Sequence, residues 1–203
     1  RTLGRSSSRD SVASRSADAA IYTFKQKGPR HRDFWTKYLV STLYFAGVHR
    51  TPNLIVAPYP GHGVGYDNEV VRDALMTFAK CFRMPYCPDL IVRHKEAIKS
   101  QEARRKGISL DHRVQLESIH LTENPRKYDG DAYKNSPFGK PRSVLVVDDF
   151  TTEGYGLESA RAYLSSVKKV HAVLLVSLGR FPNRDVHELR PLPKIAHPFA
   201  PNK

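Results

Sequence analysis

The chain has 203 residues, 40% of them hydrophobic, with 33 Lys and Arg against 20 Asp and Glu, a formal charge of +13. That is enough apolar material for one domain with a sizeable core, and the cation excess points to a polyanionic ligand or partner. No stretch reaches the roughly 20 consecutive apolar residues of a membrane-spanning helix, and two cysteines, Cys81 and Cys87, with no nearby Cys/His pair, fit neither a disulfide framework nor a usual zinc site. A reducing, cytoplasmic compartment is expected.

Residues 1–20 are rich in Ser, Arg and Ala and lack periodic apolar positions, so they have little with which to offset the entropy of ordering. Through Arg32 the chain carries eight positive and two negative residues, and residues 1–32 are read as a flexible basic arm. Such an arm either contacts nucleic-acid phosphates or is simply solvated. From Asp33 to Gly47, Phe34, Tyr38, Leu39, Leu43, Tyr44 and Phe45 recur at three- and four-residue steps, which predicts an amphipathic helix. NLIVAP, stopped by Pro58, predicts a buried strand that empties into the loop PYPGHGVGY. Asn68 to Phe82 then places Val71, Ala74, Leu75, Phe78, Ala79 and Phe82 on one helical face, with Asp67 as the expected cap.

Asp89 to Val92 is a weak strand candidate, and His94 to His112 holds no strong apolar period, so it reads as a long surface loop. Val114 to Leu121 alternates tolerably for a strand, and ENPRKYDGDAYKNSPFGKP is a turn-rich connection. SVLVV, Ser143 to Val147, is a fully apolar strand running into Asp148 and Asp149, followed by a Thr/Gly turn and a helix from about Gly156 to Ser166. VHAVLLVSL predicts a last strand, and residues 181–203 form a Pro-rich tail. Alternating strands and helices over residues 33–180 predict an α/β fold, a mostly parallel twisted sheet of about five strands flanked by helices.

In open α/β sheets ligands bind beyond the carboxyl ends of the strands, where the loops after NLIVAP and SVLVV would converge. The second, DDFTTEGYG, puts two adjacent aspartates, two threonines and two glycines at the start of a helix. Backbone N–H groups and Thr hydroxyls there could hold a phosphate, and the carboxylates could accept from a sugar diol or sit near a metal. The plainer alternative is a solvated acidic turn with a helix cap. Elsewhere, His62 between two glycines either donates to a ligand oxygen or is merely exposed. Trp35, Phe34 and Tyr38 either stack a base or, as aromatics at helical spacing usually do, belong to the core. Asp129 and Asp131 match a calcium loop too poorly to be carried forward.

Taken together, SVLVVDDFTTEGYGLESARAYL resembles the strand, ribose-phosphate loop and helix of type I phosphoribosyltransferases. APYPGHG, GYDNEVVRDAL, LIVRHKEAIKSQEARRKG and DHRVQLESI follow in the order of that family's ComF-like, competence-protein branch, so the resemblance spans roughly Asn53 to Gly179. It implies a ligand, phosphoribosyl pyrophosphate or a related nucleotide, held with Mg2+. Asp148 and Asp149 would bind the ribose hydroxyls and meet the metal only through the ligand. Thr151, Thr152, Gly154, Tyr155 and Gly156 would surround the 5′-phosphate. The loop from Tyr59 through Gly61 and His62 to Gly63 would face the pyrophosphate. Arg93, Lys95, Lys99, Arg104, Arg105 and Lys106 would form a cationic lid over the leaving group, limiting hydrolysis by excluding water.

Two positions depart from that pattern. Glu153 stands where a small hydroxyl residue precedes the glycine, and Gly156 where Thr or Ser is usual. A carboxylate beside a phosphate is repulsive unless it points away or is protonated. The departures imply a changed ligand, weakened catalysis, or Glu153 recruited as a general base beside the anomeric centre. The resulting expectation is a magnesium-dependent glycosyl transfer or hydrolysis. The alternatives are a catalytically weakened nucleotide sensor, a nucleic-acid-associated module of a homo-oligomer or larger assembly, and an interaction subunit with a vestigial pocket.

Overall fold

The computed structural model describes residues 28–65, 68–97, 107, 112–180 and 185–201. Most of the expected arm, the expected cap Asp67 and the lid residues Lys99, Arg104, Arg105 and Lys106 lie outside the described residues.

Helix α1 spans Pro29–Phe45. It begins four residues before the expected start, with Pro29 at its first turn, where a missing N–H costs nothing. Trp35, Leu39 and Leu43, four apart, are the buried stripe, whereas Phe34, Tyr38, Tyr44 and Phe45 are exposed. Of the aromatic cluster, only Trp35 is core. Strand β1, Leu54–Pro58, is buried at every position. Helix α2, Glu69–Cys81, starts at Asn68, whose side chain accepts from the N–H groups of Val70 and Val71, so the cap is Asn68 rather than its neighbour. Strand β2, Ile91–Arg93, precedes helix α3, His112–Leu116, and strand β3, Ile119–Leu121. The expected strand over Val114 to Leu121 is therefore half helix, because a short run of apolar residues satisfies either period. Strand β4 is Arg142–Thr151, helix α4 Tyr155–Ser165 and strand β5 Val170–Arg180.

β1, β4 and β5 form one parallel sheet with β4 in the middle. β2 and β3 pair antiparallel in a separate two-stranded sheet. The fold is α/β as expected, but the parallel sheet has three strands rather than about five. Beyond β1 the chain makes one further parallel bridge, Val56 to Tyr86. Val56 donates to the Pro85 carbonyl at 2.9 Å and accepts from the Cys87 N–H at 2.9 Å. Pro85 and Pro88 flank this pair and have no N–H to continue a ladder, so a fourth strand stops at one bridge.

Strand alternation divides the core. Leu54, Val56, Leu145 and Val147 face α1 and α2, packing with Leu39, Val71, Leu75 and Phe78. Ile55, Ala57, Val144 and Val146 face the other way, toward α4, β2 and β3, with Leu90, Ile119, Ala160 and Tyr163. A strand covered on both faces reads as a continuous apolar run, as SVLVV does. Residues 185–201 have no helix or strand, yet Leu192, Ile195 and Phe199 pack against the second cluster. Ile195 donates to the Ser166 hydroxyl at 3.0 Å and Leu121 to the Pro198 carbonyl at 2.8 Å. Among the described residues no helix is long and apolar enough to cross a membrane.

Candidate functional site

The carboxyl ends of β1 and β4 lie side by side: Pro58 registers with Val147, and the Tyr59 N–H donates to the Val147 carbonyl at 2.8 Å. The loop after β1 and the acidic turn after β4 therefore meet at one edge, as the sheet rule requires.

Asp148 and Asp149 close β4's apolar run. The Asp149 N–H donates to Asp148 Oδ1 at 2.8 Å, and the Phe150 N–H to Asp149 Oδ1 at 2.6 Å. Asn68 Nδ2 donates to Asp149 Oδ2 at 3.0 Å, while Asn68 Oδ1 serves the first N–H groups of α2. One side chain thus caps a helix and fixes a carboxylate. Burial and the charge of Asp149 raise Asp148 well above its ordinary 3.8, opposed by the Asp149 N–H and by Arg93. The pair is suited to accept hydrogen bonds from hydroxyl donors.

Gly154 follows in the left-handed region, φ 80°, at the N-cap of α4. The first turn of a helix lacks intrahelical acceptors for its N–H groups, so the turn is oriented to receive an anion. Thr151 and Thr152 lie just before it and are partly buried. Residues 185–189 cross this turn as a strap. Val186 packs where a Gly154 side chain would sit, with its Cγ1 2.8 Å from that position. The His187 N–H donates to the Glu153 carbonyl at 3.0 Å, and the His187 ring stacks on Tyr155 with centroids 5.6 Å apart. The buried Glu158 carboxylate accepts the Leu189 N–H at 2.9 Å and pairs with Arg161. Beside the strap, Thr151, Leu157, Ser177, Arg180 and Val186 line a cavity of about 350 Å³.

Gly156 has a packing reason to be glycine: a Cβ there would come within 2.9 Å of the Tyr59 ring and 3.1 Å of its hydroxyl. Tyr59 is buried, and that burial pushes its phenol up to about 12, with Arg93 opposing and Asp148 reinforcing. It donates to Gln115 Oε1 at 3.0 Å and accepts from Arg93 Nη2 at 3.1 Å.

Arg93 is 3% exposed. Its Nε donates to the Gly61 carbonyl, Nη1 to the Ser118 hydroxyl, and Nη2 also to Gln115 Oε1 at 3.0 Å. The guanidinium is consumed in fastening the β1 loop to β2 and α3, not presented to solvent as a lid cation. His62 and Lys95 are exposed, and the His62 carbonyl accepts from Ala97 at 3.0 Å. Gly63 lies in the same turn. Asp148, Asp149, Tyr59 and Arg93 are thus brought together, with the glycine turn adjoining. Sequence reasoning missed Gln115, Ser118 and the strap, none of which carries a local signal; Asn68 was legible as a helix start but not as the carboxylate's partner.

Among the described residues no three His, Cys, Asp or Glu side chains converge as a metal site. The donor set nevertheless fits a ligand that brings its own cation: a carboxylate pair for hydroxyls beside a helix start for phosphate.

No protein-family model matches this chain, and no curated protein matches it. Among solved structures, a hypoxanthine phosphoribosyltransferase from Staphylococcus aureus aligns with a TM-score of 0.42 and 14% identity, over 77% of this chain and 68% of that one.

Proposed function

We propose that the chain binds phosphoribosyl pyrophosphate, or a related phosphorylated nucleotide, together with magnesium, and supports transfer or hydrolysis at the anomeric carbon. The observation that carries this reading is the pair Asp148 and Asp149 at the end of β4, with Asp149 tethered by Asn68 and a glycine-capped helix beginning at Tyr155. The two carboxylates would accept from the ribose hydroxyls, and the start of α4 would orient the 5′-phosphate. Magnesium, arriving on the phosphates, would neutralise charge on the departing pyrophosphate. Arg93 contributes by holding Tyr59 and the Gly61 carbonyl, and hence the β1 loop, in one shape.

Calorimetric titration of phosphoribosyl pyrophosphate with magnesium into the wild-type chain and an Asp148→Asn, Asp149→Asn double variant tests this. Binding lost in the double variant supports it; a folded wild-type chain that releases no heat overturns it. A second reading, a sensor without turnover, is favoured by Val186 over Gly154 and by Glu153 in the phosphate turn. It predicts binding without release of pyrophosphate.

A further inference from the structure

On the outer side of β1, away from the carboxylate pair, the end of α2 and the loop after β3 enclose a groove of about 380 Å³. Lys80, Arg83 and Lys127 bring three cations to its wall, and Met84, Tyr128 and Tyr133 line it beside them. No carboxylate is among its lining residues. Asp129 and Asp131 belong to the same loop, but Asp129 Oδ1 accepts from the Asp131 N–H at 3.1 Å, turned into the loop itself.

Two details exceed what a solvated helix end requires. Helix α2 closes with the Arg83 N–H on the Lys80 carbonyl at 3.3 Å and the Met84 N–H on the Ala79 carbonyl at 2.9 Å. That pattern places residue 83 in the left-handed position where glycine is favoured. Arg83 occupies it at φ 52°, a conformational cost that glycine would not carry. Lys80 already complements the helix dipole, so the dipole alone does not account for Arg83. Tyr128, meanwhile, is 51% exposed, with Lys80 Nζ 4.4 Å from its ring centroid.

We propose that this groove binds single-stranded nucleic acid, with a base against Tyr128 and the flanking phosphates on Lys80, Arg83 and Lys127. Cations set beside the half-exposed ring of Tyr128 suit a ligand that alternates anions with planar rings. A duplex hides its base faces, and an acidic peptide has no use for the tyrosines. The site is separate from the carboxylate pair, so it stands or falls independently of the proposed sugar-phosphate chemistry.

The test is fluorescence anisotropy of labelled oligo-dT and oligo-U, each of about 12 nucleotides, titrated with the full chain across a salt series. Arg83→Gly removes the cation while relieving the backbone, so it folds at least as well as wild type. Its affinity is expected to drop, with the salt slope shallower by about 0.7. Tyr128→Ala, at an exposed position, is expected to weaken binding about fivefold or more. Lys168→Gln, an equal charge loss at an exposed site elsewhere, is expected to change affinity less than about twofold. The preferred oligonucleotide identifies RNA or DNA, and either supports the proposal. No binding at about 50 mM salt, equal losses in all three variants, or displacement by polyglutamate as effective as by unlabelled oligonucleotide would each overturn it.

Discussion

Asn68 and Asp149, 81 residues apart in the chain, are joined by a 3.0 Å hydrogen bond from an amide whose other end caps α2. Position of the helix and position of the carboxylate are therefore set by one side chain. Asn68→Ser keeps a capping oxygen but loses the tether; Asn68→Ala loses both. The serine variant is expected to unfold within about 0.5 kcal/mol of wild type and the alanine variant about 1 kcal/mol lower, with ligand affinity reduced in both. Urea denaturation alongside calorimetry separates the two effects.

Asp148 has a preference for its protonated form in the folded chain, from burial and from Asp149. Its unfolded counterpart ionises near 3.8, so stability falls as pH rises from there toward the folded value, and the penalty persists at neutral pH. Asp148→Asn, which retains an acceptor for the Asp149 N–H, is expected to melt higher than wild type at neutral pH. The gain should vanish below about pH 4, and ligand binding should be lost. Stability gained at the expense of binding is the expected mark of a functional carboxylate; thermal melts from pH 3.5 to 7.5 would show no such convergence if Asp148 were a passive surface group.

A side chain at position 156 must displace Tyr59, whose ring atoms lie 2.9 to 3.1 Å from the absent Cβ. Gly156→Ala is expected to cost about 1 to 3 kcal/mol, and much of that loss should be recovered by adding Tyr59→Ser. A double-mutant cycle in urea measures the coupling; additive losses would mean that the ring yields freely.

Removing the Arg93 guanidinium takes the side-chain donor from the Gly61 carbonyl and the Ser118 hydroxyl and leaves Gln115 Oε1 with Tyr59 alone. Arg93→Met is expected to destabilise the chain by about 3 kcal/mol and to loosen the β1 loop. Hydrogen exchange at residues 59–63 should rise in the variant under conditions where α2 remains protected.

His94 and His120 face each other across β2 and β3, with their Nδ1 atoms 3.1 Å apart. One nitrogen must accept, and burial, followed by the charge of His94, lowers the His120 pKa from 6.5. The unfolded chain binds protons here first as pH falls, so the contribution is complete above about pH 6.5 and is lost on acidification through the folded value. His120→Gln should flatten urea-measured stability between pH 7.5 and 5; an unchanged slope would assign the acid sensitivity elsewhere.

What sequence could reveal was local. The β4 run and the acids that end it are contiguous, so the strand start and both ends of the helix lie within one residue of the expected bounds, whereas β4 continues four residues past Val147, through the acids, to Thr151. Tertiary partners were hidden. Arg93 sits in a basic stretch that reads as a solvated lid, yet its acceptors come from Tyr59, Gly61, Gln115 and Ser118, on separate segments. Gly156 reads in sequence as a missing hydroxyl, and the reason for it, the Tyr59 ring against it, comes from a distant segment. Sheet size was overstated because two real strands, β2 and β3, pair with each other instead of extending the parallel sheet.

The strap gives the order of synthesis a role in building the site. β1, β4 and α4 are all complete once residue 165 has been made, but Val186, His187 and Leu189 must still emerge before the turn at Gly154 acquires its cover. A nascent chain halted between those points would own both aspartates but not the cover over the turn that follows them. Tags or truncations that disturb residues 185–189 should therefore alter the turn at Gly154, whereas changes at the amino-terminal end leave its cover in place.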